Sequence, residues 1–384
     1  MKTHCSMCAM LAELIDDFNV DLRRVSSTIV KHVIAQLGPD AASILVYDID
    51  DSQVLKYAAG QGFRTAGFVN SAINRALVSQ LVREGNRVHY ADLVQAKTEW
   101  AQSQALLQEG LHGYVGIPLE TSNQMIGVLE MFYYGAFHLN TAWLVAAEEM
   151  CRHSAKALGV AWRMKHLQNA NIQSANVVDA TIEGWARMLE MRDTEPQGHH
   201  ERVADMTVGF ARSLGVADSD LVNIRRGAML HDVGKMGISD QVLLKPDTLT
   251  DDEWQIMRQH PIIAFEKLSS IDALVPALDI PYCHHENWDG SGYPRGLAGE
   301  NIPFAARLFS IVDTWDILRT DRPWRKAWPD ERVITHIRER GGKSFDPQLA
   351  DLFTKLLEQW LKHKRMDRQP SVTSGLYDSI AFHV

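Results

Sequence analysis

The stretch MLHDVGKMGI, residues 229–238, places an adjacent histidine and aspartate in an apolar helical segment. The ionised carboxylate of Asp232 is costly in such surroundings unless it is paired or bound to a metal ion. Lys235 follows about one helical turn later, where its ammonium group could face the same point. A His–Asp dipeptide alone has little value, so its interpretation depends on the rest of the chain.

Most of the other distinctive histidines fall in the same C-terminal half. In order, they are His199 in EPQGHHERV, His260 in RQHPIIAFEKL and the pair His284–His285 in YCHHENWDGSGYP, and Asp313 follows in SIVDTWDIL. Imidazole and carboxylate ligands without thiolates suit divalent iron, manganese, zinc or nickel. Any single buried histidine is usually a hydrogen-bonded core residue. The joint occurrence of these residues in one domain nevertheless favours a metal site.

The adjacent His231 and Asp232 suit a site with two metal ions, because the carboxylate can bridge both ions while the imidazole binds one of them. Two metal ions serve phosphodiester cleavage by activating water at neutral pH and by stabilising the non-bridging oxygens as charge develops. Lys235 would supply a further cation near the phosphate. The residue types therefore favour a metal-dependent phosphodiesterase.

Hydrophobic periodicity predicts two domains of different class. Strand-like runs SILVYDID and VLKYAAG flank Asp50–Ser52, and the runs GYVGIPLE and MIGVLEMFYY flank Thr121–Asn123. These two hairpins predict an antiparallel sheet in the N-terminal half. The helical spacing of Leu11, Leu14, Ile15 and Phe18 predicts a helix up to about residue 35.

The C-terminal half shows a different pattern. Residues 142–190 contain almost no helix-breaking residues and could form one or two long helices, which serve either as a signalling element or as a simple connector. After Glu190 the apolar residues keep a helical spacing almost to the end of the chain. This pattern predicts an all-α helical bundle.

The C-terminal motifs resemble the HD-GYP family of cyclic di-GMP phosphodiesterases, a branch of the HD-domain metal hydrolases. The resemblance covers roughly residues 180 to 350 and includes the tripeptide Gly292–Tyr293–Pro294. The matching segments are RDTEPQGHHERV, LHDVGKMGI, LLKPDTLTDDEWQIMRQHP, the HHENWDGSGYP block, IPFAARLFSIVDTWD and TDRPWRKAW. The resemblance implies an HD-GYP catalytic domain over residues 185–365, with two or three divalent metal ions, iron or manganese, as cofactors.

Carried over position by position, the resemblance implies a role for each residue of the site. The implied metal ligands are Glu195, His199, His231, Asp232, His260, His284, His285 and Asp313, with Asp232 bridging. The implied catalytic residues are His231, Asp232 and Lys235. The implied substrate-binding residues are Lys235, Gly292, Tyr293, Pro294, Asp316, Arg322, Arg325 and Lys326.

Two positions depart from the common family pattern. Glu195 stands where many members carry Tyr or Thr, and it resembles the mark of a three-metal subgroup that cuts the linear intermediate pGpG onward to GMP. In that interpretation Glu195 and His199 help to hold the third ion. The alternative is an exposed first-turn glutamate that the helix dipole favours. Ala264 replaces a frequent glycine after the His-Pro pair, and this change is expected to have little effect.

The leading hypothesis is hydrolysis of cyclic di-GMP to pGpG and then to GMP. A second hypothesis keeps the chemistry but takes cyclic GMP-AMP as substrate, since nothing in the sequence decides the base. A third makes the chain a cyclic-dinucleotide-binding signalling protein with little turnover, which contacts a partner such as a diguanylate cyclase. A nucleotide triphosphohydrolase is disfavoured by the intact Gly292–Tyr293–Pro294 and Asp321–Arg322–Pro323.

The N-terminal half resembles a GAF domain, most clearly in LLQEGLHGYVGIPLETSNQMIGVLEMFYYG. This resemblance implies an α+β sensory domain over residues 21–160, preceded by a segment of residues 1–20 and followed by a helical linker of residues 161–184. Residues 366–384 would form a C-terminal tail. A GAF domain can bind a small molecule or hold a dimer, and we expect a parallel homodimer through the connecting helices. His89, His112, Cys151 and His153 are interpreted as ordinary core or surface residues.

Composition disfavours several other classes of protein. A formal net charge of -9 without a basic run argues against binding to duplex nucleic acid. No stretch approaches the roughly 20 apolar residues of a membrane helix, and the 4 cysteines are too few and too scattered for a disulfide framework. These features predict a cytoplasmic protein. The pair Cys5 and Cys8 is weak evidence for zinc, because it supplies only part of a tetrahedral site.

Overall fold

The computed structural model describes residues 21–48, 54–65, 87–96, 108–122, 124–193, 195–322 and 325–366. The chain divides after Ser174 into two compact units. Four predicted features lie outside the described residues. They are the N-terminal segment with Cys5 and Cys8, the helix positions from Leu11 to Phe18, the turn at Asp50–Ser52 and the tail beyond Met366.

An antiparallel sheet forms the centre of the N-terminal unit. Its strands are β1 (Ala41–Tyr47), β2 (Leu55–Gln61), β3 (Val88–Tyr90), β4 (Gly113–Glu120) and β5 (Met125–Tyr133). They lie in the order β2-β1-β5-β4-β3, and each described pair is antiparallel. The two predicted hairpins correspond to β1–β2 and β4–β5. The three-residue edge strand β3 was not predicted, because so short a run carries no period.

Both faces of this sheet are covered. Side chains alternate along a strand, so Ile44 of β1 packs into one core while its neighbour Leu45 packs into the other. The first core also contains Val33 of helix α1 (Leu22–Leu37) and Leu158 of helix α2 (Thr141–Arg192). Helix α1 begins after Asp21, whose side chain accepts a hydrogen bond from the amide of Arg23, as an N-cap residue does.

The C-terminal unit is helical. After the end of α2 it contains α3 (His199–Ser213), α4 (Asp218–Leu230), α5 (Asp240–Leu243), α6 (Asp251–Met257), α7 (His260–Leu268), α8 (Asp279–Cys283), α9 (Phe304–Arg319), α10 (Asp330–Glu339) and α11 (Pro347–Met366). A short 3-10 helix, Val233–Gly237, follows α4. The predicted fold class, an antiparallel sheet with helices followed by a helical bundle, is confirmed. The long segment predicted to be one or two helices is a single helix, α2.

The core of the C-terminal unit positions the later site. Phe210 of α3, Phe309 and Trp315 of α9, and Phe353 of α11 are all fully buried in one cluster. Helix α9 therefore crosses the unit beside α3, and the ends of α4, α7 and α8 converge near it. Among the described residues, none of the helices has the length and apolar character that a membrane span requires.

Burial of Leu129 makes a first prediction about the N-terminal unit. Leu129 of β5 is 0% exposed and pairs with Ile44 and Ile117 on the neighbouring strands. Leu129→Ala is expected to lower the free energy of unfolding by about 2–5 kcal/mol, because it leaves a cavity. Leu167→Ala is the matched control, since Leu167 of α2 is 62% exposed. Urea unfolding followed by circular dichroism measures both, and equal costs would contradict the assigned core.

Candidate metal centre

The carboxylate of Asp232 lies between two groups of imidazoles. Its Oδ2 is 3.1 Å from His231 Nε2, whereas its Oδ1 is 3.3 Å from His260 Nε2 and 3.7 Å from His284 Nε2. The side chain is buried at the junction between α4 and the 3-10 helix Val233–Gly237. Because each oxygen faces a different group, the carboxylate has the geometry of a bridging ligand.

The first group consists of His199, His231 and Asp313, whose ligand atoms lie within 4.8 Å of one another. His199 Nε2 and Asp313 Oδ1 are 3.3 Å apart, and both are buried without a hydrogen-bond partner among the described residues. Buried polar atoms of this kind are costly unless something satisfies them. A nitrogen and a carboxylate oxygen that face each other in this way fit a divalent cation.

The electrostatics of His199 agree with this arrangement. Burial disfavours a charged imidazole, but the carboxylates of Asp313, Asp316 and Glu195 outweigh burial and raise the pKa of His199 to about 10. The ring therefore lies in a field that stabilises positive charge. A metal ion in the same place would gain from that field.

The second group consists of Asp232, His260, His284 and His285. His260 Nδ1 lies 2.9 Å from the carbonyl of Met257, and His284 Nδ1 lies 3.1 Å from that of Ile280. These contacts direct both Nε2 atoms toward Asp232. Burial lowers the pKa of His260 to about 3 and holds the pKa of His285 well below its usual value. Both rings are therefore neutral at pH 7, which is the form that binds a metal.

The third group consists of Asp193, Glu195 and Asp232, with Lys235 among them. Lys235 Nζ lies 2.8 Å from Asp193 Oδ2, 2.6 Å from Asp232 Oδ2 and 3.6 Å from Glu195 Oε1. Burial would disfavour the charged amine, but these carboxylates outweigh it and raise the pKa of Lys235. Glu195, predicted to share an ion with His199, lies 3.9 Å from His199 Nε2. The sequence analysis missed Asp193. Its position two residues before Glu195 is the only feature of the sequence that points to a shared site.

The predicted substrate-binding cations have different surroundings. Arg322 is buried and donates to Glu195 Oε2 at 2.6 Å, which brings it to the third group. Arg325 instead donates to the carbonyls of Ile317 and Leu318 at the C-terminus of α9. Lys326 is 92% exposed and pairs with Asp321 at 3.0 Å. The structure therefore places Arg322 at the site, whereas the guanidinium of Arg325 caps the C-terminus of α9.

Asp316 is predicted to bind substrate, but both of its oxygens accept hydrogen bonds from protein groups. His199 Nδ1 lies 2.7 Å from Oδ2, and Arg202 Nε lies 2.9 Å from Oδ1. Burial alone would raise the pKa of Asp316, but these hydrogen bonds outweigh it and lower the pKa to about 2. Asp316 therefore lies behind His199, on the side away from Asp313, and its predicted substrate contact stays a prediction.

The Gly292–Tyr293–Pro294 loop is held against the second group by a close backbone approach. A Cβ on Gly292 would overlap the amide nitrogen of Asn287 and the carbonyl oxygen of His285, so no larger residue fits there. The amide of Tyr293 donates to His285 O at 3.2 Å, and its ring stacks on the His285 ring at 4.7 Å. The loop thus places Tyr293 beside a predicted metal ligand.

Glu286 fixes the other end of this loop. Its buried carboxylate accepts hydrogen bonds from the amides of Arg295 at 2.7 Å and Leu297 at 3.0 Å. The sequence analysis missed Glu286, although it directly follows the predicted ligands His284 and His285. Its contacts are made with backbone amides nine and eleven residues away, and no sequence pattern signals them.

Two domain family models match the chain. The HD domain family model matches residues 184–349, and the GAF domain family model matches residues 19–158. The chain combines a GAF domain with an HD domain. Both resemblances predicted from the motifs are thereby confirmed.

Three curated relatives are each 38% identical to the chain over the matched residues. A "Cyclic di-GMP phosphodiesterase" of Thermotoga maritima is 38% identical over 171 residues, which are 44% of this chain and 46% of the relative. The "Cyclic di-GMP phosphodiesterase response regulator RpfG" of Xanthomonas campestris pv. campestris is 38% identical over 196 residues, 49% and 52% of the two chains. The "3'3'-cGAMP-specific phosphodiesterase 2" of Vibrio cholerae is 38% identical over 177 residues, 46% and 33%. The match thus spans about half or less of each relative.

Gly234 makes a prediction about how the HD domain assembles its metal centre. A Cβ on Gly234 would overlap the carbonyl oxygen of His260, where α7 packs on the 3-10 helix. Gly234→Ala is therefore expected to displace His260, to cost about 1–3 kcal/mol of stability as overpacking does, and to weaken metal binding.

Gly184→Ala is the matched control for Gly234→Ala. Gly184 lies in α2, and apart from its chain neighbours and the nearby backbone of that helix, no atom of the described residues lies within 4 Å of the added Cβ. Alanine there should leave stability unchanged or raise it by up to about 1 kcal/mol. Unfolding curves and elemental analysis of bound metal measure the two effects. Equal metal content in both variants would show that the close approach at Gly234 does not position His260.

Proposed function

We propose that the chain is a metal-dependent phosphodiesterase that hydrolyses cyclic di-GMP to pGpG and then to GMP. The observation that carries the proposal is the two-sided Asp232 carboxylate, with an imidazole group on each side. Phosphodiester cleavage is the chemistry for which two adjacent metal ions are suited. The HD domain match and the names of two relatives, cyclic di-GMP phosphodiesterases, support the same activity.

The proposed metal ligands follow the three groups. His199, His231 and Asp313 would hold one ion, and His260, His284 and His285 a second, with Asp232 between them. Asp193 and Glu195 would hold a third beside Asp232. We propose iron or manganese, which suit mixed imidazole and carboxylate ligands. When bound, such ions supply an activated water and stabilise charge on the phosphate.

The balance of charge in the site makes the proposed metal ions necessary for binding an anionic substrate. Four carboxylates, from Asp193, Glu195, Asp232 and Asp313, surround the site, whereas two permanent cations, Lys235 and Arg322, lie among them. The excess of carboxylates would repel a phosphodiester. Divalent ions reverse the local sign, so that the site can accept an anion.

Lys235 and Arg322 are the proposed phosphate-binding residues. Both are buried cations that pair with carboxylates of the third group, Lys235 with Asp232 and Arg322 with Glu195. Oriented cations of this kind stabilise charge that develops on phosphate oxygens. Tyr293, shaped by Gly292 and Pro294, would line the substrate pocket from the His285 side. We assign no substrate contact to Arg325, because its guanidinium donates to backbone carbonyls.

A second candidate substrate is cyclic GMP-AMP. The observation that favours it is the relative named as a 3'3'-cGAMP-specific phosphodiesterase, which is as similar to this chain as the two cyclic di-GMP enzymes. The metal groups and the phosphate-binding cations would serve both substrates. The two candidates therefore differ only in the base, and parallel assays with both dinucleotides separate them.

The remaining proposals concern the GAF domain and the setting of the protein. We propose that residues 21–160 regulate the HD domain in response to a small molecule, or hold a homodimer together with the helical residues 161–184. A diguanylate cyclase is the proposed protein partner, and the cytoplasm the proposed location. The GAF domain match supports a sensory or dimerising role without naming a ligand.

Asp232→Asn tests the proposed activity. Loss of the bridging carboxylate should lower turnover of cyclic di-GMP by at least about 100-fold, since loss of an outer contact alone typically costs 10–100-fold. Asp218→Asn is the control, because its side chain is 95% exposed. The assay is anaerobic, with Fe(II) or Mn(II), chromatographic separation of pGpG and GMP, and metal counted in the same sample. Tight binding without turnover in metal-loaded wild-type protein would replace the enzyme with a receptor.

Glu195→Gln tests the proposed third ion. Removing one carboxylate from the group of Asp193, Glu195 and Asp232 should reduce bound metal by about one ion per chain and cause pGpG to accumulate, because two ions suffice for the first cleavage. The ratio of GMP to pGpG over time, together with metal content, gives the result. Unchanged GMP formation with unchanged metal would remove Glu195 from the ligands.

A further inference from the structure

His199 is the one ligand of the first group whose ring is held by a side chain from another helix. Its Nδ1 lies 2.7 Å from Asp316 Oδ2, and Asp316 belongs to α9, 117 positions along the chain. Both side chains are buried. A hydrogen bond to an acceptor-only carboxylate requires the proton on Nδ1, so in the neutral ring, which is the form that binds a metal, the lone pair of Nε2 would face Asp313 and His231.

Three other histidines of the centre are held by backbone instead. The Nδ1 atoms of His231, His260 and His284 lie 2.8, 2.9 and 3.1 Å from the carbonyls of Ala228, Met257 and Ile280, one turn earlier in the chain. His199 is the first residue of α3, and its Nδ1 contacts the Asp316 carboxylate rather than a backbone carbonyl. Its ring therefore takes its orientation from Asp316.

Arg202 fixes Asp316 in turn. It lies one turn after His199 on α3, and it donates from Nε to Asp316 Oδ1 and from Nη2 to Asp316 Oδ2, both at 2.9 Å. A guanidinium that grips a carboxylate with two parallel hydrogen bonds holds it in one orientation. The three side chains thus form a connected series, Arg202 to Asp316 to His199, that ends at the first metal group.

We propose that Asp316 and Arg202 are positioning residues that fix the tautomer and direction of His199 and so set the affinity of the metal position formed by His199, His231 and Asp313. The inference rests on the metal centre of the proposed function and deepens it. It replaces the predicted substrate contact of Asp316 with a role behind the ligand. Neither residue touches the reacting atoms, so both act through His199.

The neighbouring residue supplies a matched comparison. His200 Nδ1 lies 3.1 Å from Glu190 Oε1, which repeats the carboxylate–imidazole contact one position along α3. His200 is buried like His199, but among the described residues it belongs to none of the three metal groups. Glu190 also accepts hydrogen bonds from the amides of Gly198 and His200, at the start of α3. Glu190→Gln therefore alters the same kind of contact at a residue outside the proposed ligands, and it reports any general disturbance of the start of α3.

Metal titration of the full chain tests the proposal. Metal-free wild type, Asp316→Asn, Arg202→Gln and Glu190→Gln are equilibrated with increasing Mn(II) alone, and bound ions per chain are counted. Asp316→Asn should weaken one ion by about 10–100-fold, as loss of an outer contact to a ligand does, and leave the other positions unchanged. Arg202→Gln should act on the same ion in the same direction, and Glu190→Gln should match wild type. Unfolding midpoints of all four proteins confirm that each is folded.

Two results would overturn the proposal. Equal weakening by Asp316→Asn and Glu190→Gln would show a general loss of buried contacts, and an increased KM for cyclic di-GMP with unchanged Mn(II) affinity would restore the substrate contact. Visible spectra with Co(II) add an independent readout, because a reoriented imidazole changes the ligand field of one ion. Wild type that binds Mn(II) as expected but hydrolyses no cyclic dinucleotide would refute the proposed function, while the titration still decides the role of Asp316.

Discussion

The constraint on which the HD domain depends is the burial of the Asp232 carboxylate. A charge in this position is costly unless cations surround it, and the chain meets the cost with Lys235 on one oxygen and imidazoles on both sides. These partners come from separate helices, so they converge only when α4, α7 and α8 are packed. The helices of the bundle must therefore pack correctly for the Asp232 carboxylate to be stabilised and for the candidate metal centre to form.

Helix ends supply most of the geometry. His260 begins α7, His231 and His284 directly follow α4 and α8, and each ring bonds to a carbonyl of the preceding turn. These backbone carbonyls fix the tautomer of each ring, and substituting a side chain does not remove a carbonyl. The Nδ1 atom of His199 instead contacts Asp316, which Arg202 holds in turn. The first metal position is consequently the one whose affinity can be changed by substituting side chains behind the ligand.

The sequence predicted those parts of the site that depend on residue type and order. The seven predicted histidine and aspartate ligands combine rare residue types in a fixed order, and the structure brings all of them into the two groups around Asp232. The hairpins were predictable because alternation and turn residues are local. Asp193, Glu286 and the hydrogen bonds of Asp316 were not predictable, because their partners are defined by packing. Arg325 shows the same limit, since a cation near a predicted phosphate site looks identical in sequence to one that ends a helix.

The balance of charge links the enzyme hypothesis to its main competitor. A receptor for a cyclic dinucleotide and a phosphodiesterase must both accept an anion among Asp193, Glu195, Asp232 and Asp313. Lys235 and Arg322 are paired with these carboxylates, and two cations offset only part of the repulsion from four carboxylates. Binding of the nucleotide is therefore conditional on metal in either case. Metal ions held by the two groups on either side of Asp232 would both bind the phosphate and supply the activated water for its cleavage, and this favours the enzyme.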